Sequence, residues 1–353
     1  MQSSFFDLDN RYAQLNKMRD PLIELNRVID WSLFHSTLLA IAEKPRKSAA
    51  GRKRIDRVLL FKMLVLQRLY NLADEALEFQ VKDRLSFMRF LGLSLAASVP
   101  DAKTMWVFRE ELKEHKLTKK LFDRFDECLR ALNVELKSGQ IVDATFVTVP
   151  IQRNNREENA LIKEGVTPIE WGKKPHKLAQ KDTDARWTKK NGVSIYGYKD
   201  HINVDRDTKL ITAWTDTPAQ VHDSQALEAV LRSPEEGGVE IHADSAYRSA
   251  EQEIRLIETG HVSQINEKGS RAHPLSDEQK TVNRTKSKIR SRVEHVFGAM
   301  TNEMGGICIR TIGHARAQVQ IGLLNLTYNI KRVAFLIRKK HWNFDRVIAP
   351  AAS

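Results

Sequence analysis

One aspartate stands inside a strongly apolar segment of this sequence. Asp143 lies within the β-branched run Ile141–Val147, which is typical of a largely buried strand. A buried carboxylate costs several kcal/mol unless it is paired or bound to a cation. Three interpretations follow: the side chain faces solvent on an alternating strand, it pairs with an arginine, or it binds a metal ion.

A second aspartate follows another apolar run. Asp244 comes directly after Val239–Ala243, which is predicted to be a strand, and precedes Ser245. Ligand-binding groups in open α/β sheets collect at the carboxyl ends of strands. Asp244 alone is equally typical of the N-cap of a following helix. The two aspartates together favour a site.

A glutamate completes a possible set of three carboxylates. Glu294 is predicted to lie on a helix from about Asn283 to Met300, four residues after Arg290 and on the same face. Arg290 could orient Glu294 or contact a phosphate. The alternative is an ordinary surface ion pair. An all-oxygen set from two strands and a helix suits two Mg²⁺ ions about 4 Å apart, with Mn²⁺ able to replace them, and disfavours zinc.

A series of basic residues precedes Glu294 in the sequence. They occupy every second position before it: Arg284, Lys286, Lys288, Arg290 and Arg292. On a helix this spacing spreads positive charge around the cylinder, as an element that contacts a DNA backbone requires. A plain solvated basic helix has the same pattern. The segment 151–192 adds further Lys and Arg, and its Trp171 and Trp187 could stack on unpaired bases or anchor a small core.

The composition limits the class of protein. The chain has 353 residues, 57 Lys and Arg against 45 Asp and Glu, a net charge of +12 and 41% hydrophobic residues. These values fit a globular protein of two or three domains with a polyanionic partner. Two cysteines are too few for a disulfide framework. The longest apolar run, Val58–Tyr70, is too short for a membrane span, and no signal peptide is visible, so we expect a soluble cytoplasmic protein.

The predicted secondary structure around these residues changes along the chain from helices alone to strands alternating with helices. Residues 1–135 have helical periodicity, with Asp101 as a candidate N-cap and Gly92 as a helix break, so they predict a helical DNA-binding or dimerisation domain. A helical bundle used only for packing has the same pattern. Residues 136–310 predict five strands in a mixed sheet with flanking helices, an α/β fold. Residues 311–353 predict a C-terminal helix that packs on this domain.

Two polar segments interrupt the α/β pattern. Residues 151–192 form a basic insert, and residues 268–282 form a second polar stretch. Both are predicted to be loop-like. Loops of this length are uncommon without a function.

Several motifs of the chain resemble the DDE transposases of bacterial insertion sequences, and most closely the group founded on insertion sequence five. The matching stretches, in order along nearly the whole chain, are 99–109, Val142–Thr145, Asp182–Trp187, Tyr196–Lys199, Thr217–Ser224, His242–Asp244 and Arg292–Gly298. The resemblance implies an RNase H-like catalytic core. It also implies that Asp143, Asp244 and Glu294 are the catalytic, metal-binding triad.

The resemblance extends to DNA contacts. Arg290 matches the arginine of the family's Tyr-Arg-Glu-Lys signature, whereas Ser287 and Thr301 stand where the family has Tyr and Lys. Neighbouring Lys286 and Lys288 are candidates to replace them. Arg292 and Lys199 are further candidates for DNA contact.

The hypothesis is a transposase that binds the terminal inverted repeats of its element, cleaves the DNA ends with Mg²⁺ and joins them to target DNA. Joining two ends requires two active sites, so a homodimer or a larger synaptic assembly is expected. Two alternatives stay open at this point. An RNase H-like nuclease would cut without joining, and a transposase-derived regulator would bind DNA without cutting.

Overall fold

The computed structural model of the protein describes residues 6–41, 55–134, 136, 139–190, 192–233, 238–270 and 273–348. The chain divides into two compact units. Met1–Val134 and Asn329–Ser353 form one, here called the helical unit, and Glu135–Tyr328 forms the other, here called the sheet unit. Within the described residues, none of the helices is both long enough and apolar enough to span a membrane.

The helical unit is built from short helices. They are α1 (Asp7–Lys17), α2 (Pro21–Val28), α3 (His35–Leu38), α4 (Arg57–Leu69), α5 (Asp74–Asp83), α6 (Leu85–Leu91), α7 (Ala102–Glu114) and α8 (Leu117–Ala131), with a 3₁₀ turn at Trp31–Phe34. The predicted N-cap is confirmed, because the Asp101 carboxylate accepts a hydrogen bond from the Thr104 amide at 2.7 Å. Gly92 ends α6 with φ of 72°.

Aromatic side chains fill the interior of the helical unit. The rings of Phe34 and Phe61 lie 4.6 Å apart, and those of Trp31 and Phe90 lie 5.4 Å apart, edge to face. Edge-to-face pairs contribute about 0.5–1.5 kcal/mol beyond the burial of their area. The segment after the last helix closes this unit, since the Asp30 amide donates to the Val347 carbonyl at 2.9 Å.

The sheet unit alternates strands and helices. In chain order these are β1 (Gln140–Thr148), α9 (Arg156–Lys163), α10 (Ile169–Gly172), α11 (Pro175–Leu178), β2 (Arg186–Lys190), β3 (Val193–Asp205), β4 (Ile211–Pro218), α12 (Leu227–Val230), β5 (Val239–His242), α13 (Ala250–Glu258), β6 (His261–Ser263), α14 (Asp277–Arg290), α15 (Glu294–Asn302) and α16 (His314–Arg338). Three 3₁₀ turns occur at Asp223–Ala226, Ser245–Tyr247 and Ser291–Val293.

The sheet is mixed, as predicted. Its strands follow the order β2-β3-β1-β5-β6, and β4 also pairs with β3. The pairs β1–β3, β2–β3 and β3–β4 are antiparallel, whereas β1–β5 and β5–β6 are parallel. The α/β fold class is therefore confirmed, and the central β1 carries Asp143.

Three details differ from the sequence prediction. The sheet has a sixth strand, β2, within the basic insert. The sequence did not predict it, because its residues are mostly polar and lack the apolar alternation of a half-buried strand. The insert also contains α9–α11 and is not simply a loop. The helix predicted over 283–300 is interrupted by the 3₁₀ turn Ser291–Val293, so Glu294 begins a separate helix.

The division into units also differs from the predicted domains. The predicted third domain, residues 311–353, is shared, because α16 contributes residues up to Tyr328 to the sheet unit and its remainder to the helical unit. A continuous helix hides this boundary in the sequence pattern.

We predict that Gly197→Ala destabilises the sheet unit. Gly197 has φ of 150° and pairs with Thr148 of β1, and an added Cβ would overlap the Val147 carbonyl oxygen. Forced overlap costs about 1–3 kcal/mol. The free energy of unfolding in urea should fall by that amount. Gly172→Ala, in open space on α10, is the control and should leave stability nearly unchanged. Equal losses of unfolding free energy in both variants would contradict the steric role of Gly197.

We also predict that one buried acid makes stability depend on pH. Asp200 of β3 is fully buried, accepts a bond from the Asn325 amide of α16 at 3.0 Å, and has its pKa raised by burial to about 8. A raised folded-state pKa contributes stability that is complete below the unfolded value, about 4, and is lost as the pH rises through about 8. Asp200→Asn should flatten the decline in unfolding free energy between these pH values. An unchanged decline would refute the prediction.

Candidate active site

Asp143 lies within β1, and Asp244 follows the end of β5, the parallel neighbour of β1. Gln140 and Ile141 of β1 pair with Ile241 and His242 of β5. Continuing this register by two residues brings Asp143 alongside Asp244. The two carboxylates are close enough for the charge of Asp244 to act on Asp143.

The turn after β5 holds Asp244. Its carboxylate Oδ1 accepts hydrogen bonds from the Ala246 amide and the Ser245 hydroxyl, both at 3.0 Å. Asp244 is therefore the cap of the 3₁₀ turn Ser245–Tyr247, as the sequence alternative suggested. One carboxylate oxygen is used in this way, and the cap fixes the direction of the side chain at the strand end.

On the edge of β1 that faces β5, backbone pairing stops after Gln140 and Ile141. The next backbone hydrogen bonds on this edge are those of Thr148 with Ile307 and Ile309. In the interval, α14 and the turn Ser291–Val293 contact β1. This contact brings a basic helix end to the buried aspartate.

Amide side chains dock α14 onto the chain that follows β6. Asn283 exchanges two hydrogen bonds with the backbone of Glu267, at 2.8 and 3.0 Å. The Asn266 amide donates to the Ser287 hydroxyl at 3.0 Å. Lys286 Nζ donates to the Ile265 carbonyl at 3.1 Å. These bonds fix the position of the last turn of α14.

Arg290, in that last turn, links two of the three carboxylates. Its Nη1 donates to Asp143 Oδ2 at 2.7 Å, and its Nη2 lies 3.6 Å from Glu294 Oε1. The Asp143 and Arg290 side chains are 19% and 23% exposed, whereas Glu294 is 65% exposed. The arginine partner anticipated for Asp143 is thus the same residue that was expected beside Glu294.

Burial controls the electrostatics of Asp143. It raises the pKa of the carboxyl above its ordinary value, and the negative charge of Asp244 acts in the same direction. The Ala144 amide bond and the positive charge of Arg290 act against this rise in pKa. A bound cation would act in the same way as Arg290.

The three side chains fit a divalent cation by their chemistry. All supply carboxylate oxygens, which Mg²⁺ and Mn²⁺ prefer, and a guanidinium cation already joins two of them. Among the described residues, no three His, Cys, Asp or Glu side chains stand close enough to hold a metal as they are placed.

The predicted DNA-contact residues are placed differently from one another. Lys199 is largely buried, and its ammonium donates to Asp223 and to the Val221 carbonyl, both at 2.7 Å, so it has a structural role. Arg292 bonds Asp207 and the Arg206 carbonyl, each at 3.0 Å, while remaining accessible.

The two lysines of α14 predicted to contact DNA, Lys286 and Lys288, also differ from each other. Lys286 is used in docking α14, whereas Lys288 is exposed. The role of Lys288 in DNA contact stays a prediction.

The two tryptophans of the insert also have different environments. Trp171 is completely buried and donates to Glu158 at 2.7 Å, with Lys177 and Lys181 over its ring, so it anchors a small core. Trp187 on β2 is 42% exposed and packs against Tyr196. Of the two, Trp187 is the accessible ring.

The strand order, the strand directions and the flanking helices place the sheet unit among the RNase H-like α/β folds. Two protein families match the chain: "Transposase domain (DUF772)" over residues 9–111 and "Transposase DDE domain" over residues 134–330. The second match spans more than half of the sequence, and the chain belongs to the Transposase DDE domain family. It is a DNA transposase of an insertion element, a DDE-type enzyme that cleaves DNA and transfers strands. The family implies dependence on a divalent metal, typically Mg²⁺.

The chain is also similar to a solved transposase structure. It is the cryo-EM structure of a piggyBac transposase synaptic complex with hairpin DNA. The similarity has a TM-score of 0.47 and 14% identity, and covers 92% of this chain and 74% of that one.

We predict that Arg290→Gln raises the pKa of Asp143 further, because burial continues to raise it while the compensating positive charge is lost. The titration can be followed by ¹³C NMR of labelled aspartate carboxyls, with Asp143→Asn identifying the signal. Arg292→Gln is the matched control, since Arg292 pairs with Asp207. If both arginine variants leave the Asp143 titration unchanged, the electrostatic role of Arg290 is wrong.

Proposed function

We propose that Asp143, Asp244 and Glu294 are the catalytic triad and together bind two Mg²⁺ ions, which Mn²⁺ can replace. The observation that carries the proposal is the Arg290 guanidinium joining Asp143 to Glu294 while Asp244 follows the end of the neighbouring strand β5. Two of the three carboxylates thus meet one cationic side chain, and the negative charge of Asp244 acts on the buried Asp143. An ordinary surface ion pair between Arg290 and Glu294 would not include the buried Asp143 of β1.

The chain's residues have distinct tasks in this mechanism. When bound, the two ions activate the attacking oxygen and stabilise the leaving oxygen of the phosphodiester. Asp143 on β1, Asp244 in the turn after β5 and Glu294 at the start of α15 would hold the ions. Arg290 releases Asp143 and then steadies Glu294 or a DNA phosphate, for which its fork of donors is suited.

The partner is double-stranded DNA in two roles. We assign the terminal inverted repeats to the helical unit and to the basic insert of the sheet unit. The net charge of +12 supports a polyanionic partner, and residues 44–54, within the sequence of the helical unit, contain six Lys and Arg and no Asp or Glu. Lys288, Arg290 and Arg292 are the contact candidates on the α14 side of the site.

The motif order favours the insertion sequence five group of bacterial elements. The enzyme would then act on the chromosome in the cytoplasm. Two element ends must be joined in one event, so two copies of the chain, or more, would assemble on the paired ends.

The test is a strand-transfer assay with labelled element ends and a plasmid target in Mg²⁺. Asp143→Asn, Asp244→Asn and Glu294→Gln should each slow cleavage and joining on the order of 10³-fold, because the bound ions supply several kcal/mol of transition-state stabilisation. Binding of element ends should persist in a gel-shift assay, since the repeats are assigned to other surfaces.

The control variant is Glu258→Gln, an exposed carboxylate on α13, which should retain full activity. Thermal unfolding checks that each variant is folded. A folded triad variant with normal joining would exclude that residue from the metal site. Cleavage without joining by the unaltered protein would contradict the transposition mechanism.

A further inference from the structure

Three cationic side chains surround one exposed aromatic ring near the end of α16, in the helical unit. The ring belongs to Phe335, which is 38% exposed. The charged groups of Arg332, Arg338 and Lys339 lie 4.9, 5.5 and 5.9 Å from its centre. Among the described aromatic rings, no other has more than two cations over it. These four residues are here called the α16-end cluster.

Few acids balance the positive charge around this cluster. Residues 331–346 contain six Lys and Arg and a single acid. Among the described residues, no carboxylate forms an ion pair with Arg338 or Lys339. Glu24 lies within range of the Arg338 charge, but both of its carboxylate oxygens already accept hydrogen bonds from Arg27, at 3.1 and 2.7 Å. Arg338 and Lys339 are exposed, so their charges are available to an anionic partner.

Stabilisation of the helix accounts for only part of this arrangement. Cations near the C-terminus of a helix interact favourably with its dipole, but the effect is confined to the last turn. Arg338 ends α16 and acts in this way, whereas Arg332 lies more than one turn earlier. Like charges gathered around one ring also repel one another. The gathered charge therefore fits a surface that meets negative charge on a partner.

The sign of the charge selects the kind of partner. A second copy of the chain docked through the same cluster would place positive charge against positive charge, because a symmetric dimer joins identical patches. A DNA duplex carries one negative charge about every 1.7 Å along its axis, and Lys and Arg that reach its phosphates release bound counterions. Duplex DNA therefore matches the cluster better than a second copy does.

We propose that the α16-end cluster binds the phosphate backbone of duplex DNA. Its three cations contact phosphates, and Phe335 keeps them together at one place on the surface. Contacts of this kind position a protein on the duplex without reading its sequence. The inference deepens the proposed function and rests on it, because it takes the helical unit as the part of the chain that holds the element ends.

The test compares two double variants of the full-length protein in EDTA. Arg338→Gln with Lys339→Gln, the cluster variant, removes two charges of the cluster. Lys119→Gln with Arg130→Gln, the control variant, removes two charges of α8 that are paired with aspartates of the same helix. The two variants have the same net charge. Fluorescence anisotropy measures the affinity for a labelled element end and for an unrelated duplex of equal length, at several salt concentrations.

The cluster variant should bind both duplexes about tenfold more weakly at about 0.1 M salt. Its plot of log affinity against log salt concentration should be flatter by about 2, because two phosphate contacts no longer release counterions. The control variant should keep both the affinity and the slope. Phe335→Leu should weaken binding by about threefold and keep the slope, because the cations remain but are no longer held at the ring.

Four results would overturn the inference. Equal weakening by the cluster and control variants would show a general effect of net charge. Unchanged DNA affinity of the cluster variant with a lower unfolding midpoint would assign Arg338 and Lys339 to helix stability alone. Unchanged DNA affinity with weaker binding to vesicles of anionic lipid would identify a membrane surface as the partner. Unchanged DNA affinity of Phe335→Leu would refute the role of the ring.

The unaltered protein separates this inference from the proposed function. If it binds the element end no more tightly than the unrelated duplex, the assignment of the terminal repeats is wrong, whatever the cluster variant does. If it prefers the element end and the cluster variant binds both duplexes as tightly as the unaltered protein, only the role of the α16-end cluster fails.

Discussion

A carboxyl group in the interior of a β-sheet is tolerated where a cation or several donors stabilise its charge, or where burial keeps it protonated, as for Asp200. In this protein the guanidinium of Arg290 stabilises the charge of Asp143, at 2.7 Å. The need for a cation beside Asp143 is met by the elements that bring Arg290 to β1. The parallel ladder with β5 is short, α14 contacts β1 where that ladder has ended, and a 3₁₀ turn then starts α15 at Glu294.

The same constraint explains how a structural arrangement can serve catalysis. In the proposed mechanism a divalent ion replaces Arg290 at the buried charge, so the exchange leaves the sheet in place. β1 fixes Asp143 and the turn after β5 fixes Asp244, whereas Glu294 is exposed at the start of α15. The guanidinium of Arg290 is suited to bind a DNA phosphate in the same proposed step.

The predictions that depend on neighbouring residues are confirmed more often than those that depend on residues far apart in the sequence. The mixed sheet, the N-cap at Asp101 and the α/β class follow from local periodicity and turn chemistry, and the structure confirms them. The strand β2 was missed because an edge strand of charged residues lacks apolar alternation. Lys199 was taken as a DNA contact because its positive charge is visible in the sequence, while its partner Asp223 lies 24 residues away.

The sequence by itself determined the chemistry available: an aspartate within an apolar strand, a second at a strand end, a glutamate one helical turn after an arginine, and an excess of positive charge. Motif order pointed to the transposase family. Only the tertiary structure decided that Arg290 binds Asp143, 147 residues away. The physical reason is that burial and register are set by the packing of distant segments, and both determine which charges meet.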